Sequence, residues 1–131
     1  MAYLLDTHAL IWFLEGSPDL STSAKDIVSH STNNIFVSLS SLWEISIKVS
    51  LGKLEMNLPF EGLMDVILKN NIELLDITFS HTVKQYQLPF YHRDPFDRIL
   101  ISQAIVENME IISRDSIFDT YLKVELVKRI W

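Results

Sequence analysis

The sequence predicts an α/β fold in which a parallel sheet is flanked by helices. Short apolar runs alternate along the chain with longer segments of helical periodicity, which is the pattern of strand–helix–strand units. The runs at residues 2–5 and 35–37 are apolar throughout, as expected for strands that are covered on both faces. The 131 residues are 48% hydrophobic and contain no repeat or linker-like stretch, so they predict a single domain over residues 1–131.

The first half of the chain is predicted to form two strands and four helices. The first strand ends at Asp6-Thr7, and either residue can cap the helix that Gly16 then closes. Ser21 is the expected cap of the second helix, and Gly52 stops the third, which follows a serine-rich segment. The expected strands cover residues 2–5 and 35–37, and the expected helices cover residues 7–14, 21–31, about 40–51 and 60–70.

The second half of the chain is predicted to add three strands and a long helix. Asn70-Asn71 closes the preceding helix, and Leu88-Pro89 ends a short one. The expected strands cover residues 72–75 and 110–113, with an edge strand at 124–126. The expected helices cover residues 78–86 and 95–108, with a single further turn at 118–122.

The start of the long helix carries more charge than a helix cap requires. Proline is favoured at the first helical position, and the residue before a proline is pushed out of the α region, so Asp94 is the expected N-cap. Asp97 lies three residues later, which makes the pair a variant of the capping box. The open question is whether one of these two aspartates has a second role.

Composition excludes several classes of protein. The net charge of −6 and the pI near 5.1 argue against a broad non-specific nucleic-acid binder. The absence of cysteine excludes disulfides and thiolate metal sites and is compatible with a reducing cytoplasm. No run of about 18 apolar residues is present for a membrane span, and Asp6 comes too early for a signal peptide. Because clustered carboxylates repel one another unless a metal or proton intervenes, the acidity favours a divalent-metal site.

Two acids directly follow predicted strands, at the edge where parallel sheets bind ligands. Asp6 follows the first strand and Asp115 the fourth, although each alone is explained as a helix or turn cap. Glu44 lies on a narrow polar stripe of the third helix, where Lys48 offers it an ordinary ion pair. If these acids converge with Asp97, they supply the oxygen ligands that Mg²⁺ or Mn²⁺ takes, and such an ion serves phosphodiester hydrolysis.

Four segments of the chain closely resemble, in order, the motifs of PIN-domain ribonucleases, most nearly those of VapC-type toxins of type II toxin–antitoxin pairs. The segments are residues 4–12 (LLDTHALIW), 41–48 (SLWEISIK), 92–104 (HRDPFDRILISQA) and 113–115 (SRD).

The resemblance spans essentially the whole chain and implies a PIN-like three-layer α/β/α fold with a short central parallel sheet of four to five strands. It implies a metal-dependent endoribonuclease that hydrolyses RNA with a quartet of acids around Mg²⁺ or Mn²⁺. A small cognate antitoxin and a homodimer are the implied protein partners. The family's acid at the head of the long helix is the one followed by an Ile/Leu-rich run into Gln-Ala, which here selects Asp97 over Asp94. The implied quartet, as metal ligands and catalytic residues, is Asp6, Glu44, Asp97 and Asp115.

Basic residues near the quartet are candidates for contacts with RNA phosphates, although each could instead form a salt bridge with a quartet acid. These are Lys48, Arg93, Arg98 and Arg114. Ser113 is a further candidate for substrate binding, and it is expected either to hydrogen-bond a ligand acid or simply to end its strand. Single-stranded RNA can stack on aromatic side chains, and four aromatic residues are candidates for such contacts: Trp12, Trp43, Tyr91 and Phe96. Their helical spacing favours a core role for most of them.

Three other functions are compatible with parts of the sequence. A histidine acid–base ribonuclease could use His8 and His92, which are expected to border the cleft. A phospho-receiver domain could use Asp76, but that class usually needs adjacent acids after the first strand. A PIN-like module that binds RNA or protein without cleavage is disfavoured by an intact quartet, because unneutralised carboxylates would repel phosphate.

Overall fold

Four of the predicted strands and one further strand form a five-stranded parallel sheet in a computed structural model that describes residues 1–123, 125 and 127–131. The order of the strands is β3-β2-β1-β4-β5, and every neighbouring pair is parallel. The strands are β1 (Ala2–Leu5), β2 (Asn34–Ser38), β3 (Ile72–Leu75), β4 (Glu110–Ile112) and β5 (Arg129–Ile130).

Helices cover both faces of this sheet, which confirms the three-layer α/β/α prediction. Successive strand residues point to opposite faces, so Leu4 and Leu5 of β1 enter different cores. The core with Leu5 packs the first four helices, and the core with Leu4 packs the last two. The helices are α1 (Thr7–Glu15), α2 (Thr22–Ser29), α3 (Leu39–Ser50), α4 (Leu63–Lys69), α5 (Phe79–Gln87), α6 (Pro95–Glu107) and α7 (Ile117–Leu122).

Two elements differ from the sequence-based prediction. The helix expected over residues 60–70 is divided into a 3₁₀ turn, Phe60–Gly62, and α4, with Gly62 at the junction where its low helix propensity is least costly. The edge strand was expected at 124–126, of which residues 124 and 126 lie outside the described part of the chain. The edge strand of the structure is β5, farther along, where it pairs with β4.

The strand order places β1 at the centre of the sheet and creates a switch point beside it. From β1 the chain builds outward through β2 and β3 on one side, and β4 and β5 lie on the other. Asp6 continues the ladder by one residue, because its N–H donates to the Ile112 carbonyl at 3.1 Å. The carboxyl ends of β1 and β4 therefore meet at the point where ligands bind in open α/β sheets.

The start of α6 follows the sequence signals closely. The Asp94 carboxylate caps the helix by accepting from the N–H groups of Phe96 (2.9 Å) and Asp97 (3.3 Å), and Pro95 occupies the first helical turn. The capping-box variant is not formed as predicted, because the Asp97 carboxylate turns to His92 instead. Among the described residues, none of the helices combines the length and the apolar character that crossing a bilayer requires.

Candidate active site

One cleft at the switch point brings together all four acids of the predicted quartet. It has a volume of about 290 Å³ and lies between the ends of β1 and β4, helix α3 and the head of α6. His8 and His92 also line it, which confirms the prediction that both border the cleft. The lining residues are Asp6, Thr7, His8, Glu44, Lys48, His92, Asp94, Asp97 and Asp115.

Asp6 serves as the N-cap of α1 while its carboxylate borders the cleft. Its Oδ1 accepts from the Ala9 N–H at 2.8 Å, and only 8% of the residue is exposed. Burial raises the pKa of Asp6 above its ordinary value, and the nearby carboxylate of Asp115 adds to the rise. The Ser113 hydroxyl and the Ala9 N–H act in the opposite direction as hydrogen-bond donors. Capping and facing the cleft are thus compatible roles for one aspartate.

Glu44 is held in place by one neighbour on each carboxylate oxygen. Its Oε1 accepts from the Thr7 hydroxyl at 2.7 Å, and its Oε2 pairs with Lys48 Nζ at 2.8 Å. Ser40 and Glu44 are buried, so the polar stripe of α3 faces inward, and Glu44 and Lys48 line the cleft. The apolar neighbour Trp43 is instead 60% exposed.

Asp97 is oriented by His92, whose own position is fixed by a tyrosine. The Asp97 Oδ2 lies 2.9 Å from His92 Nε2. The His92 N–H donates to the Tyr121 hydroxyl at 2.8 Å, and that hydroxyl donates back to the His92 carbonyl at 3.2 Å. Burial raises the pKa of Asp97 to about 6, and the carboxylates of Asp94 and Glu44 also raise it, while His92 opposes the rise.

Asp115 and Ser113 shape the end of β4. The Asp115 N–H donates to the Ser113 hydroxyl oxygen at 3.0 Å, and the Asp115 Oδ1 accepts from the Ile117 N–H at 3.0 Å. Ser113 is fully buried, whereas Asp115 is exposed at the rim of the cleft. Ser113 therefore follows the strand and hydrogen-bonds Asp6, and its complete burial leaves it no surface for contact with substrate.

Three of the four predicted basic residues lie around the cleft, and the fourth does not. Lys48 lines the cleft, Arg93 lies in an adjoining cavity with Glu44 and Lys48, and Arg114 lies in a second adjoining cavity with Asp6.

The prediction that Arg98 contacts RNA phosphate is wrong. Only 2% of Arg98 is exposed, and its guanidinium donates to three backbone carbonyls and to the Tyr121 hydroxyl. The carbonyls belong to Gln85, Leu88 and Pro89. Arg98 is a structural residue that ties the end of α5 to α6 and α7.

The core role expected for most aromatic candidates is wrong for two of them. Trp43 is 60% exposed and meets Phe96 edge-on, with ring centroids 5.4 Å apart. Tyr91 is 56% exposed and meets Tyr121 edge-on at 5.1 Å. Trp12 is half-buried against the core of α1–α4.

The donor set of the cleft suits a hard divalent cation. Oxygen ligands from carboxylates are what Mg²⁺ and Mn²⁺ take. Burial raises the pKa of Asp6 and of Asp97, so a cation beside them would stabilise their charged forms. Among the described residues, the group whose ligand atoms all lie within 4.8 Å of one another is His92, Asp94 and Asp97. Of these three residues, Asp97 alone belongs to the predicted quartet.

The sequence offered Thr7 only as an alternative helix cap, a role that Asp6 takes, and gave no role to Tyr121. The Thr7 hydroxyl bonds both Glu44 and the Ser41 hydroxyl, across 37 and 34 residues of sequence. Tyr121 bonds His92 across 29 residues. The partners of both residues are distant in the sequence, so only the long-range packing of the sheet and helices identifies these contacts.

Comparison with known proteins agrees with this architecture. A chain of the VapBC2 complex of Rickettsia felis, solved with promoter DNA, matches with a TM-score of 0.72 at 19% identity, over 98% of this chain and 97% of that one. A chain of VapBC-1 from nontypeable Haemophilus influenzae matches with a TM-score of 0.64 at 15% identity, over 99% and 97%. A chain of the FitAB–DNA complex matches with a TM-score of 0.63 at 17% identity, over 98% and 93%.

At these identities the structural matches show the fold alone, and among curated proteins none matches the sequence. The family model for the PIN domain, in contrast, matches residues 3–123, which is nearly the whole chain. This chain belongs to the PIN domain family.

Proposed function

We propose that this chain is a Mg²⁺- or Mn²⁺-dependent endoribonuclease and the toxin of a type II toxin–antitoxin pair. The observation that carries the proposal is the convergence of Asp6, Glu44, Asp97 and Asp115 in one cleft at the switch point of the sheet. Two of these acids have raised pKa values, so neutralisation by a cation is favourable there.

Within this proposal the protein supplies ligands and orientation. Asp6, Asp97 and Asp115 would hold the ion, with Glu44 either direct or through water. When bound, such an ion lowers the pKa of a water molecule and neutralises charge on phosphate oxygens during in-line displacement. The chain's own contribution is positional: His92 fixes the Asp97 carboxylate, and Thr7 with Lys48 fixes that of Glu44.

The proposed substrate is single-stranded or looped RNA, whose bases are free to leave the stack. Lys48, Arg93 and Arg114 lie on the borders of the acidic cleft, where they could contact phosphates on either side of the scissile bond. A local basic rim of this kind is compatible with the overall charge of −6.

The proposed protein partners are a small antitoxin and a second copy of the chain, in the cytoplasm. The structural neighbours include two VapBC assemblies and a toxin–antitoxin complex from Klebsiella pneumoniae. The surface also carries an exposed apolar row on α5, with Phe79 83% and Tyr86 85% exposed and Val83 between them. Exposed apolar patches commonly mark sites of protein contact.

Sedimentation velocity tests the proposed homodimer. A homodimer should sediment with twice the chain mass of 15.2 kDa, and a monomer would contradict it.

Cleavage of a labelled single-stranded RNA tests the activity. The wild type should cleave with Mn²⁺ or Mg²⁺ and stop in EDTA, and Asp97→Asn should be inactive. Asp26→Asn, a change of the same kind at an exposed position on α2, is the matched control and should retain activity. Equal cleavage by wild type and Asp97→Asn, or cleavage that survives EDTA, contradicts the proposal.

Growth of cells that express the chain separates a toxin from other nucleases. Expression of the wild type should arrest growth, and Asp6→Asn should relieve the arrest. If cells that express an active wild-type enzyme grow normally, the chain is a nuclease but not a toxin. If the wild type and Asp6→Asn both arrest growth, the arrest has a cause other than RNA cleavage.

A phospho-receiver function is contradicted by the topology. Its usual strand order is 2-1-3-4-5, which buries the third strand in the sheet. Here β3 is an edge strand, and Asp76, which follows it, is exposed.

A further inference from the structure

A second cavity continues the acidic cleft on the side of α1. It has a volume of about 340 Å³ and is lined by Asp6, His8, Trp12, Arg114 and Asp115. Three of these residues, Asp6, His8 and Asp115, also line the acidic cleft. A ligand whose reacting group lies among the acids can therefore extend directly from the acidic cleft into this cavity.

The inner wall of this cavity is a cluster of planar groups around Trp12. The guanidinium carbon of Arg114 lies 4.6 Å from the centroid of the Trp12 ring. Trp12 is supported from two other sides, by Trp131 edge-on at 5.8 Å and by His8 at 5.6 Å. Trp12 is half-buried against the core, and it supports the exposed Arg114 from the inner side of the cavity.

Arg114 keeps its outer face available. It is exposed, and within the described residues it forms no ion pair and donates no hydrogen bond, although two carboxylates line the same cavity. A guanidinium that lies on an indole is planar and weakly hydrated, and it can stack on a second ring from its other side.

We propose that Arg114, supported by Trp12 and bordered by His8, forms a stacking subsite for one nucleobase next to the scissile phosphate. This inference rests on the proposed ribonuclease function. Bases of single-stranded RNA stack on arginine planes and aromatic rings with little dependence on sequence. The subsite thus fixes the position of one nucleotide relative to the acids and requires a base there without selecting its identity.

Arg114→Lys distinguishes this role from a simple phosphate contact. Lysine keeps the positive charge but loses the plane, so it preserves attraction to phosphate and removes stacking. Arg114 is exposed, so the substitution should leave the melting temperature nearly unchanged.

The test is a double-mutant cycle between the protein and the RNA. Binding of five-nucleotide oligouridylates is measured by fluorescence anisotropy in an Asp97→Asn background, which prevents cleavage. A second set of oligonucleotides lacks one base, with the abasic ribose placed at a different position in each oligonucleotide. Lys25→Gln, which removes an exposed charge on α2, is the control for a general electrostatic effect.

Stacking predicts that Arg114→Lys weakens binding of the intact oligonucleotide by about fivefold or more, as for loss of a base–aromatic contact. The penalty should vanish when the abasic ribose stands at one particular position. An equal penalty on intact and abasic RNA, or no penalty, overturns the subsite. Cleavage by the wild type is scored separately: a wild type that cleaves but shows no coupling overturns the subsite alone, whereas absence of both cleavage and binding overturns the proposed function with it.

Discussion

Asp97 illustrates how one residue can be unfavourable for folding and useful for chemistry. Its carboxylate is mostly buried and lies near Asp94 and Glu44, and among the described residues His92 is the group that favours its charged form. The pKa of about 6 means that ionised Asp97 destabilises the metal-free protein at neutral pH. A bound cation would remove that cost, which is the trade between stability and activity common at functional sites.

Asp97→Asn should therefore stabilise the metal-free protein at pH 7. The pKa of Asp97 rises from 3.8 to about 6 on folding, so the folded state binds the proton more tightly, and stability falls as the pH rises from about 4 to 6. Because the group is partly exposed, we expect a gain of about 1–2 kcal/mol at pH 7 and little at pH 4. Urea unfolding in EDTA at both pH values measures this. A loss of stability, or a gain independent of pH, would contradict the assignment, and Asp26→Asn serves as the control.

Asp94, in contrast to Asp97, should stabilise the folded protein. Its carboxylate accepts from two N–H groups at the start of α6, so Asp94→Ala should lower the free energy of unfolding by about 0.5–2 kcal/mol. Asp94→Ser keeps a capping oxygen and should recover most of the loss. The same urea titration measures both, and equal stability of the alanine and serine variants would show that the cap contributes nothing.

At the scale of elements, the head of α6 is positioned by α7 through one hydroxyl. Tyr121 accepts from Arg98 and from the His92 N–H, and it donates to the His92 carbonyl. The result is a connected path from a buried arginine to the carboxylate of Asp97, built from α5, α6 and α7. The position of Asp97 thus depends on how three elements pack.

Tyr121→Phe should weaken both folding and metal binding. The change leaves the ring in the core but removes the hydroxyl, which costs about 1–3 kcal/mol for the unpaired groups left behind. Because Tyr121 holds the backbone of His92, whose ring hydrogen-bonds the proposed ligand Asp97, Mn²⁺ binding should weaken beyond the effect on stability. Tyr86→Phe, at an 85% exposed position on α5, is the matched control. Unchanged Mn²⁺ affinity in Tyr121→Phe would show that His92 needs no support from α7.

The elements with local signals were predictable from the sequence, and those set by packing were not. Asp94-Pro95 specifies the start of α6 within one turn, and the apolar run before Asp6 specifies β1, because caps and burial patterns are local. Arg98 looked like a surface cation, but its carbonyl partners come from another helix and loop. The edge strand β5 is two residues long and depends on pairing with β4, which no local pattern encodes.

At the scale of the whole molecule, the strand order decides what the acids can do. The order β3-β2-β1-β4-β5 places Asp6 and Asp115 on adjacent strand ends, and α3 and α6 then bring Glu44 and Asp97 to the same cleft. Each acid has a separate structural partner in a helix cap, a turn or an ion pair, so each alone could be explained without function. The four carboxylates lie close together only because the folded arrangement of strands and helices brings them to one cleft.

Calorimetric titration of the protein with Mn²⁺ tests most directly whether these converged acids hold a metal ion. The wild type should bind, and Asp97→Asn and Asp6→Asn should each bind at least about tenfold more weakly, while Asp26→Asn should bind as the wild type does. Binding should also raise the melting temperature of the wild type in proportion to the logarithm of the Mn²⁺ concentration above saturation. Absence of binding by the folded wild type, or equal binding by the Asp97→Asn and Asp6→Asn variants, would contradict a metal site in this cleft.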